Sequence, residues 1–304
     1  MRVLVTGAGG RIGAPLVAAL RRDGHEVRTA SARDPEALAE ASRGCGWVFH
    51  LGGGVRGPGR DTADVLNRVG TERLVAALRR GGGAPRVVLA SSAAVYGDRS
   101  GAWVDEAAPP LPDTDYGRAK VAAEQALRES GLPVVVARIG MVVGRGLPTA
   151  REGALARGRA WLPGEGVNHV PMIHLADAVE GLRHLAAHAT DGEIVHLAAP
   201  ATPTLRAYYD AVAARVRARG EGEGRVRFWS TWVPGALQYA LARRVESLAT
   251  QLGTRPPVTP DLLRLWTASA RLRTERLGDG LGYRWRHPDP CAPDALDADL
   301  PGGL

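Results

Sequence analysis

The sequence predicts an α/β protein, a doubly wound parallel sheet with a smaller, mainly helical lobe in its C-terminal half. Three observations predict it. Short β-branched apolar runs alternate with longer stretches of helical apolar spacing from the first residues to about residue 145. The first of those runs ends in a glycine cluster that opens a helix. Beyond that point the alternation breaks up, and helical segments carrying Trp229, Trp232 and Trp266 take over.

Each element follows from its local pattern. "RVLVTG" (2–7) is an apolar strand stopped by glycine, and "APLVAALRRDG" (14–24) is a helix with Gly24 as its stop. "EVRTAS" (26–31) reads as a second strand, "PEALAEASRG" (35–44) as a helix and "WVFHLGGGV" (47–55) as a buried strand running into glycines. A long amphipathic helix covers 62–82, followed by the strand "RVVLASS" (86–92), a helix over 116–131 and the strand "PVVVARIG" (133–140). Such alternation requires right-handed crossovers and a parallel sheet. A helix after "VPMIHLAD" and the strand "GEIVHLAA" (192–199) complete it. The expected domains are 1–145, completed by 172–199, for the sheet, and 146–171 with 200–286 for a lobe capping a ligand cleft. Residues 287–304, rich in Pro, Asp and Gly, read as a flexible tail.

The chain has 304 residues, 45% hydrophobic and 23% charged, enough for an ample core. No apolar run approaches the roughly 18–20 residues of a membrane span. The N-terminus enters a strand directly, unlike a signal peptide. Cys45 and Cys291 are isolated and show no metal-binding spacing, which points to a reducing cytoplasm and no metal. The formal charge of +7 is spread over arginines interleaved with acids, as in "ARVRARGEGEGRVRF". A solvated surface explains that pattern, so neither a nucleic-acid nor a membrane partner is expected.

Two stretches carry chemistry. "TGAGGRIG" places Gly7, Gly10 and Gly13 between the first strand and the first helix, with Arg11 and Ile12 in the same turn. Two glycines let the backbone approach a diphosphate, the third allows close helix–strand packing, and the helix N-terminus offers free N–H groups. This is the context of a dinucleotide-binding turn. "TDYGRAKVAAEQ" (114–125) holds Lys120, the one lysine among 39 Lys and Arg residues. Tyr116 stands four residues before it, on the same helix face. A compact ammonium serves several acceptors where a guanidinium does not.

With these motifs the chain resembles the extended short-chain dehydrogenase/reductases, the superfamily of NAD-dependent epimerases and dehydratases, 3β-hydroxysteroid dehydrogenases and dihydroflavonol reductases. The resemblance covers nearly the whole chain. It rests on the glycine turn at 6–13, "FHLGG" (49–53), "NRVGT" (67–71), "SSAAVYG" (91–97), "YGRAK" (116–120), "RIGMVVG" (138–144) and "MIHLAD" (172–177). It implies a Rossmann sheet, an NAD(P) cofactor and a small-molecule substrate. Tyr116 would exchange a proton with the substrate oxygen and Lys120 would bind the nicotinamide ribose while favouring the phenolate. Ser92 would polarise the carbonyl, and Asn67 would steady the active-site backbone or a water. Leu51, Gly52 and Gly53 would lie along the cofactor, and Ser91 either beside it or simply packed at the strand end. The family's usual arrangement is a homodimer through the helices at 62–82 and 115–130.

The departures narrow the reading. About 16 residues separate Ser31 from Val48, so one strand–helix unit of the family is missing or collapsed. The second strand ends in "TASAR", with Ser31 and Arg33 where an acid would select NAD; a hydroxyl and a guanidinium suit the 2′-phosphate of NADP, with Arg11 as a helper and NAD as the alternative. Sugar-nucleotide enzymes of the superfamily carry Asn where Met141 stands and Arg where Val170 stands. Dehydratases carry an Asp-Glu pair where Ala93 and Ala94 stand, so water elimination lacks its acid and base. His174 is expected to cap or pack, and Arg138 and Asp177 to anchor structure.

The expected function is an NAD(P)-dependent ketoreductase or dehydrogenase acting on a small, mostly non-nucleotide substrate. Ala93, Met141, Trp161, Met172 and Trp229 are the candidates for its pocket. The arginine, alanine and glycine bias points to a GC-rich bacterial genome and to specialised metabolism. An epimerase working by transient oxidation is the alternative. A cofactor-sensing regulator is a third reading, against which the retained Tyr116–Lys120 pair argues.

Overall fold

The computed structural model describes the chain apart from residues 56–61, 148, 150, 159, 230–234, 252–253, 255–258 and 299–304. Twelve strands are found among the described residues: β1 (Arg2–Thr6), β2 (Glu26–Ala30), β3 (Trp47–His50), β4 (Arg86–Ser92), β5 (Trp103–Val104), β6 (Val134–Ile139), β7 (Met141–Val143), β8 (Ala160–Pro163), β9 (Met172–His174), β10 (Ile194–Leu197), β11 (Val226–Trp229) and β12 (Arg271–Leu272). Helices α1 (Gly13–Arg22), α2 (Pro35–Ser42), α3 (Gly70–Gly81), α4 (Asp115–Arg128) and α5 (Glu152–Ala156) are followed by α6 (Leu175–His188), α7 (Leu205–Ala218), α8 (Gly235–Gln251), α9 (Pro260–Thr267) and α10 (Pro293–Asp297).

Six strands form one parallel sheet in the order β2-β1-β3-β4-β6-β10. Alternation along each strand divides the core between two faces. Val3, Val5, Val88 and Val135 face α1 and α6, where Leu16, Leu20, Leu182 and Leu185 cover them. Leu4, Val87, Leu89 and Val136 face the other way, under Leu38 of α2, Leu74 and Leu78 of α3 and Leu127 of α4. The apolar stripe of α3 is therefore taken up by the sheet.

The chain leaves β1 for β2 on one side and returns to β3 on the other, so the crevice opens at the C-terminal ends of β1 and β3. β2 is the sheet edge. Only α2 lies between β2 and β3 in the chain, in keeping with the shortened segment noted in the sequence.

The lobe has its own core. β8 and β11 pair in parallel, and Leu155, Leu162, Tyr208, Tyr209, Val212 and Val216 pack together beneath them.

Two expectations about the C-terminus are corrected. Residues 271–286 do not belong to the lobe alone: β12 pairs with β5, and Leu277 and Tyr283 are buried in the sheet core on the α1/α6 face. The tail expected to be flexible from residue 287 is docked through residue 298. Ala295 and Leu296 of α10 are buried, Leu296 in the lobe core, and Asp297 takes ion pairs from Arg215 and Arg219 of α7. A five-residue helix is too short to announce itself by periodicity, and its hold comes from partners 78–82 residues away.

Candidate active site

The glycine turn is built by close approach. Gly7 has φ +69°, and a Cβ there would sit 2.7 Å from the backbone carbon of Leu51. A Cβ on Gly13 would lie 2.1 Å from the Gly7 carbonyl oxygen. The β1–α1 turn thus rests directly on Leu51 and Gly52 after β3, and among the described residues no side chain caps the start of α1. Uncapped N–H groups at a positive helix end are what a diphosphate needs. Gly10 donates its N–H to Gly7 at 2.9 Å, Ile12 packs on the core, and Arg11 is exposed.

A cleft of about 600 Å³ continues from this turn. Gly7, Gly52 and Gly53 floor it, Ser31 and Arg33 wall it on the β2 side, and Val65, Gly70 and Arg73 wall it on the α3 side. The Ser31 hydroxyl accepts the Arg33 N–H at 3.2 Å, which sets the turn after β2. Arg11 and Leu51 do not line this cleft.

Asn67 sits in a π-helical turn, Val65–Val69, that interrupts the helix expected over 62–82. Its buried amide donates to Gly54 at 2.9 Å and Ala63 at 2.7 Å, so it steadies the chain after β3. Its Oδ1 is buried without a hydrogen-bond partner among the described residues. A Cβ on Gly53 would lie 2.3 Å from that Oδ1 and 3.1 Å from Lys120 Nζ. An orphan acceptor and an ammonium therefore converge over one glycine.

Lys120 Nζ donates to the Ala90 carbonyl at 2.7 Å and lies 5.8 Å from the centre of the Tyr116 ring. Burial brings the ammonium down to about 8, against the Glu124 carboxylate. Tyr116 keeps part of its surface open, yet desolvation pushes its phenol upward, and a hydrogen bond with Ser92 draws it partly back. The phenol thus lies above its ordinary value, where the sequence reading expects Lys120 to favour the phenolate. Thr114 caps α4 by accepting from Gly117 at 3.0 Å. A Cβ on Gly117 would meet the Ala94 carbonyl at 2.5 Å. That glycine lets α4 lie against the turn that carries Ser92, and Ser92 itself accepts from Ala94 at 3.2 Å.

Ser91 is placed differently from Ser92. Its hydroxyl donates to the buried Glu124 carboxylate, which Arg138 also grips through Nε at 3.1 Å and Nη2 at 2.7 Å. The side chain of Ser91 serves this ion pair between β6 and α4. His174 caps α6, accepting from Ala176 at 3.2 Å, and Asp177 accepts from Arg286 at 2.7 Å and His287 at 2.9 Å.

Among the pocket candidates, Met172 is fully buried in the lobe core and cannot line a cleft. Half-buried Met141 pairs with it across β7 and β9. Ala93 begins the turn after Ser92. Trp161 and Trp229 lie on β8 and β11, with side chains outside the described residues, and Trp232 lies outside them altogether.

The sequence reading missed His50 and Asp261. His50 accepts from Thr6 Oγ1 at 2.7 Å through Nδ1 and donates to Thr71 Oγ1 at 2.9 Å through Nε2; Thr71 in turn donates to the Asn67 carbonyl at 2.7 Å, which fixes this tautomer. Burial, with the Lys120 charge beside it, lowers His50 to about 3, so it stays neutral. Asp261 of α9 accepts from the backbone N–H of Asp115 at 2.9 Å and Tyr116 at 3.4 Å, tying the lobe to the start of α4. Only a long-range contact reveals that link.

Among known proteins, the chain is 33% identical over 213 residues to a protein of a Streptomyces species named 3-diazoavenalumate denitrifying reductase, covering 59% of this chain and 70% of that one. It is 33% identical over 131 residues to Protein YeeZ of Escherichia coli K12, covering 42% of this chain; the match spans 45% of the length of YeeZ. Human epimerase family protein SDR39U1, solved with NADPH, superposes with TM-score 0.70 at 22% identity, over 95% of this chain and 96% of that one. DesIV, a dTDP-glucose 4,6-dehydratase of Streptomyces venezuelae solved with NAD, superposes with TM-score 0.71 at 21% identity, over 94% and 92%. These two likenesses establish the fold. Residues 3–198, which hold the glycine turn, Asn67, Ser92, Tyr116 and Lys120, match a single family, and the chain belongs to the NAD dependent epimerase/dehydratase family.

Proposed function

We propose that the protein is an NADP-preferring carbonyl reductase, or alcohol dehydrogenase in reverse, for a small non-nucleotide substrate. The observation that carries this is Tyr116 set beside Ser92, where Gly117 lets its helix lie on the Ala94 turn, with the Lys120 ammonium buried one turn on and alanines at 93 and 94. When bound, the nicotinamide supplies or takes up the hydride. The residues do the rest. Gly7, Gly13 and the start of α1 hold the diphosphate, Ser31 and Arg33 receive the 2′-phosphate, and Lys120 takes the ribose. Ser92 orients the carbonyl oxygen and Tyr116 gives it a proton as a general acid whose phenol is kept protonated by burial. Asn67 offers its free Oδ1 to a water beside Lys120. The absence of a carboxylate at 93 and 94 argues against water elimination. The Streptomyces relative named a reductase supports net reduction.

Assembly as a cytoplasmic homodimer through α3 and α4 belongs to the same proposal, and light scattering of the purified protein measures it. Among the described residues no helix is long and apolar enough to cross a membrane.

A screen of ketones with NADPH, followed by nicotinamide absorbance, tests the activity. Net loss of absorbance with a ketone supports reduction; retained cofactor and turnover of an alcohol stereocentre without net change would instead support epimerisation. Calorimetric titration tests the cofactor. NADPH binding at least about tenfold tighter than NADH supports the reading of Arg33.

A further inference from the structure

We infer that Arg73 is a second reader of the 2′-phosphate, so that NADP selection is shared between the turn after β2 and the first turn of α3. This rests on the proposed NADP preference. The observations behind it are independent of the glycine turn.

β2 is the sheet edge, and among the described residues no further strand stands between it and α3. The start of α3 lies directly on the turn after β2: a Cβ on Gly70 would be 3.6 Å from the Cβ of Ala32. Arg73, three residues on, projects from the same helix face. It lines the cleft from the α3 side while Arg33 lines it from the β2 side. These two guanidiniums are the charged side chains among the described residues that line the cleft.

The neighbouring charges of α3 are already engaged. Arg68 bonds Asp64 at 2.7 Å and Glu72 at 2.7 Å. Arg73 forms no hydrogen bond or ion pair with another described residue and remains half-buried at the cleft wall. Arg73 brings a second guanidinium to the wall opposite Arg33, where a dianion between them would meet both. A planar guanidinium meets phosphate oxygens bidentately. A 2′-hydroxyl offers no such charge, so the pair discriminates NADP from NAD.

The test is calorimetric titration of NADPH, NADH, adenosine 2′,5′-bisphosphate and adenosine 5′-monophosphate into wild type, Arg73→Gln and Arg73→Lys. The expected result is a loss of at least about tenfold in affinity for NADPH and the bisphosphate in Arg73→Gln. Arg73→Lys falls between, and NADH and the monophosphate change less than about twofold, which also shows that the variants are folded. Equal weakening of both cofactors would overturn the inference, because Arg73 would then support adenine or the fold. An unchanged NADPH-to-NADH ratio would overturn it as well. If wild type itself prefers NADH, the NADP reading fails first and the inference falls with it; if wild type prefers NADPH and Arg73→Gln keeps that preference, only the role of Arg73 fails.

Discussion

The Lys120 ammonium donates to the Ala90 carbonyl oxygen at 2.7 Å, so one side chain ties the helix of Tyr116 to the strand that ends in Ser92. The bond aims the remaining N–H donors toward Gly53 and Asn67. An arginine at 120 would have to bury a larger, planar cation in the same space.

Burial places Lys120 at about 8, below its ordinary 10.5. The folded state therefore disfavours the ammonium, and that cost is present below about pH 8. Between about pH 8 and 10.5 the unfolded chain keeps the proton that the folded chain has lost, so stability rises with pH there. The melting temperature of wild type should climb relative to Lys120→Met across this window. Turnover should fall over the same range as the ammonium is lost. A temperature difference that stays flat with pH would show that Lys120 is not depressed.

Gly53→Ala should disturb Asn67 and Lys120 together. Its methyl group would sit 2.3 Å from Asn67 Oδ1. Overpacking of this kind costs about 1–3 kcal/mol, and NADPH affinity should drop because the cleft floor shifts. Urea unfolding and calorimetry of the same sample check both effects.

Ser91→Ala separates the two adjacent serines. Ser91 serves the Glu124–Arg138 pair, so the variant should lose about 1–3 kcal/mol of stability, the cost of weakening a buried charged acceptor's bonds. Its NADPH affinity should stay within about twofold of wild type. A large loss of affinity with unchanged stability would place Ser91 at the cofactor instead.

Ending the chain at Arg286 should destabilise the protein. The truncation removes the buried Leu296, strands Arg215 and Arg219 without Asp297, and takes one of the donors from Asp177. The loss should be several kcal/mol, on the order of a buried leucine with a charged hydrogen bond. Coincident urea midpoints for the two chains would contradict this.

The sheet was legible because its signals are local. Val3, Leu4 and Val5 run straight into Gly7, and the unbroken β-branched apolar runs of β1, β4 and β6 need no partner to be seen. Tyr116 and Lys120 were legible because a fixed spacing on one helix carries their chemistry. Other features depend on what meets across the fold. Asp261 reaches Tyr116 from 145 residues away. His50 looks like a strand residue until Thr6 and Thr71 are seen on either side of it. Met172 reads as a pocket residue from its motif, yet the lobe core covers it completely. The π-helical turn at Asn67 leaves no mark in apolar spacing, because one extra residue in a turn shifts the periodicity by less than sequence patterns resolve.

The central claim is that Tyr116, beside Ser92 and one helical turn from Lys120, gives the proton in a carbonyl reduction. Comparing Tyr116→Phe with wild type, on a ketone that wild type turns over with NADPH, tests it most directly. The account predicts NADPH affinity within about twofold of wild type and turnover lower by at least about a hundredfold. Turnover by Tyr116→Phe close to that of wild type would contradict it.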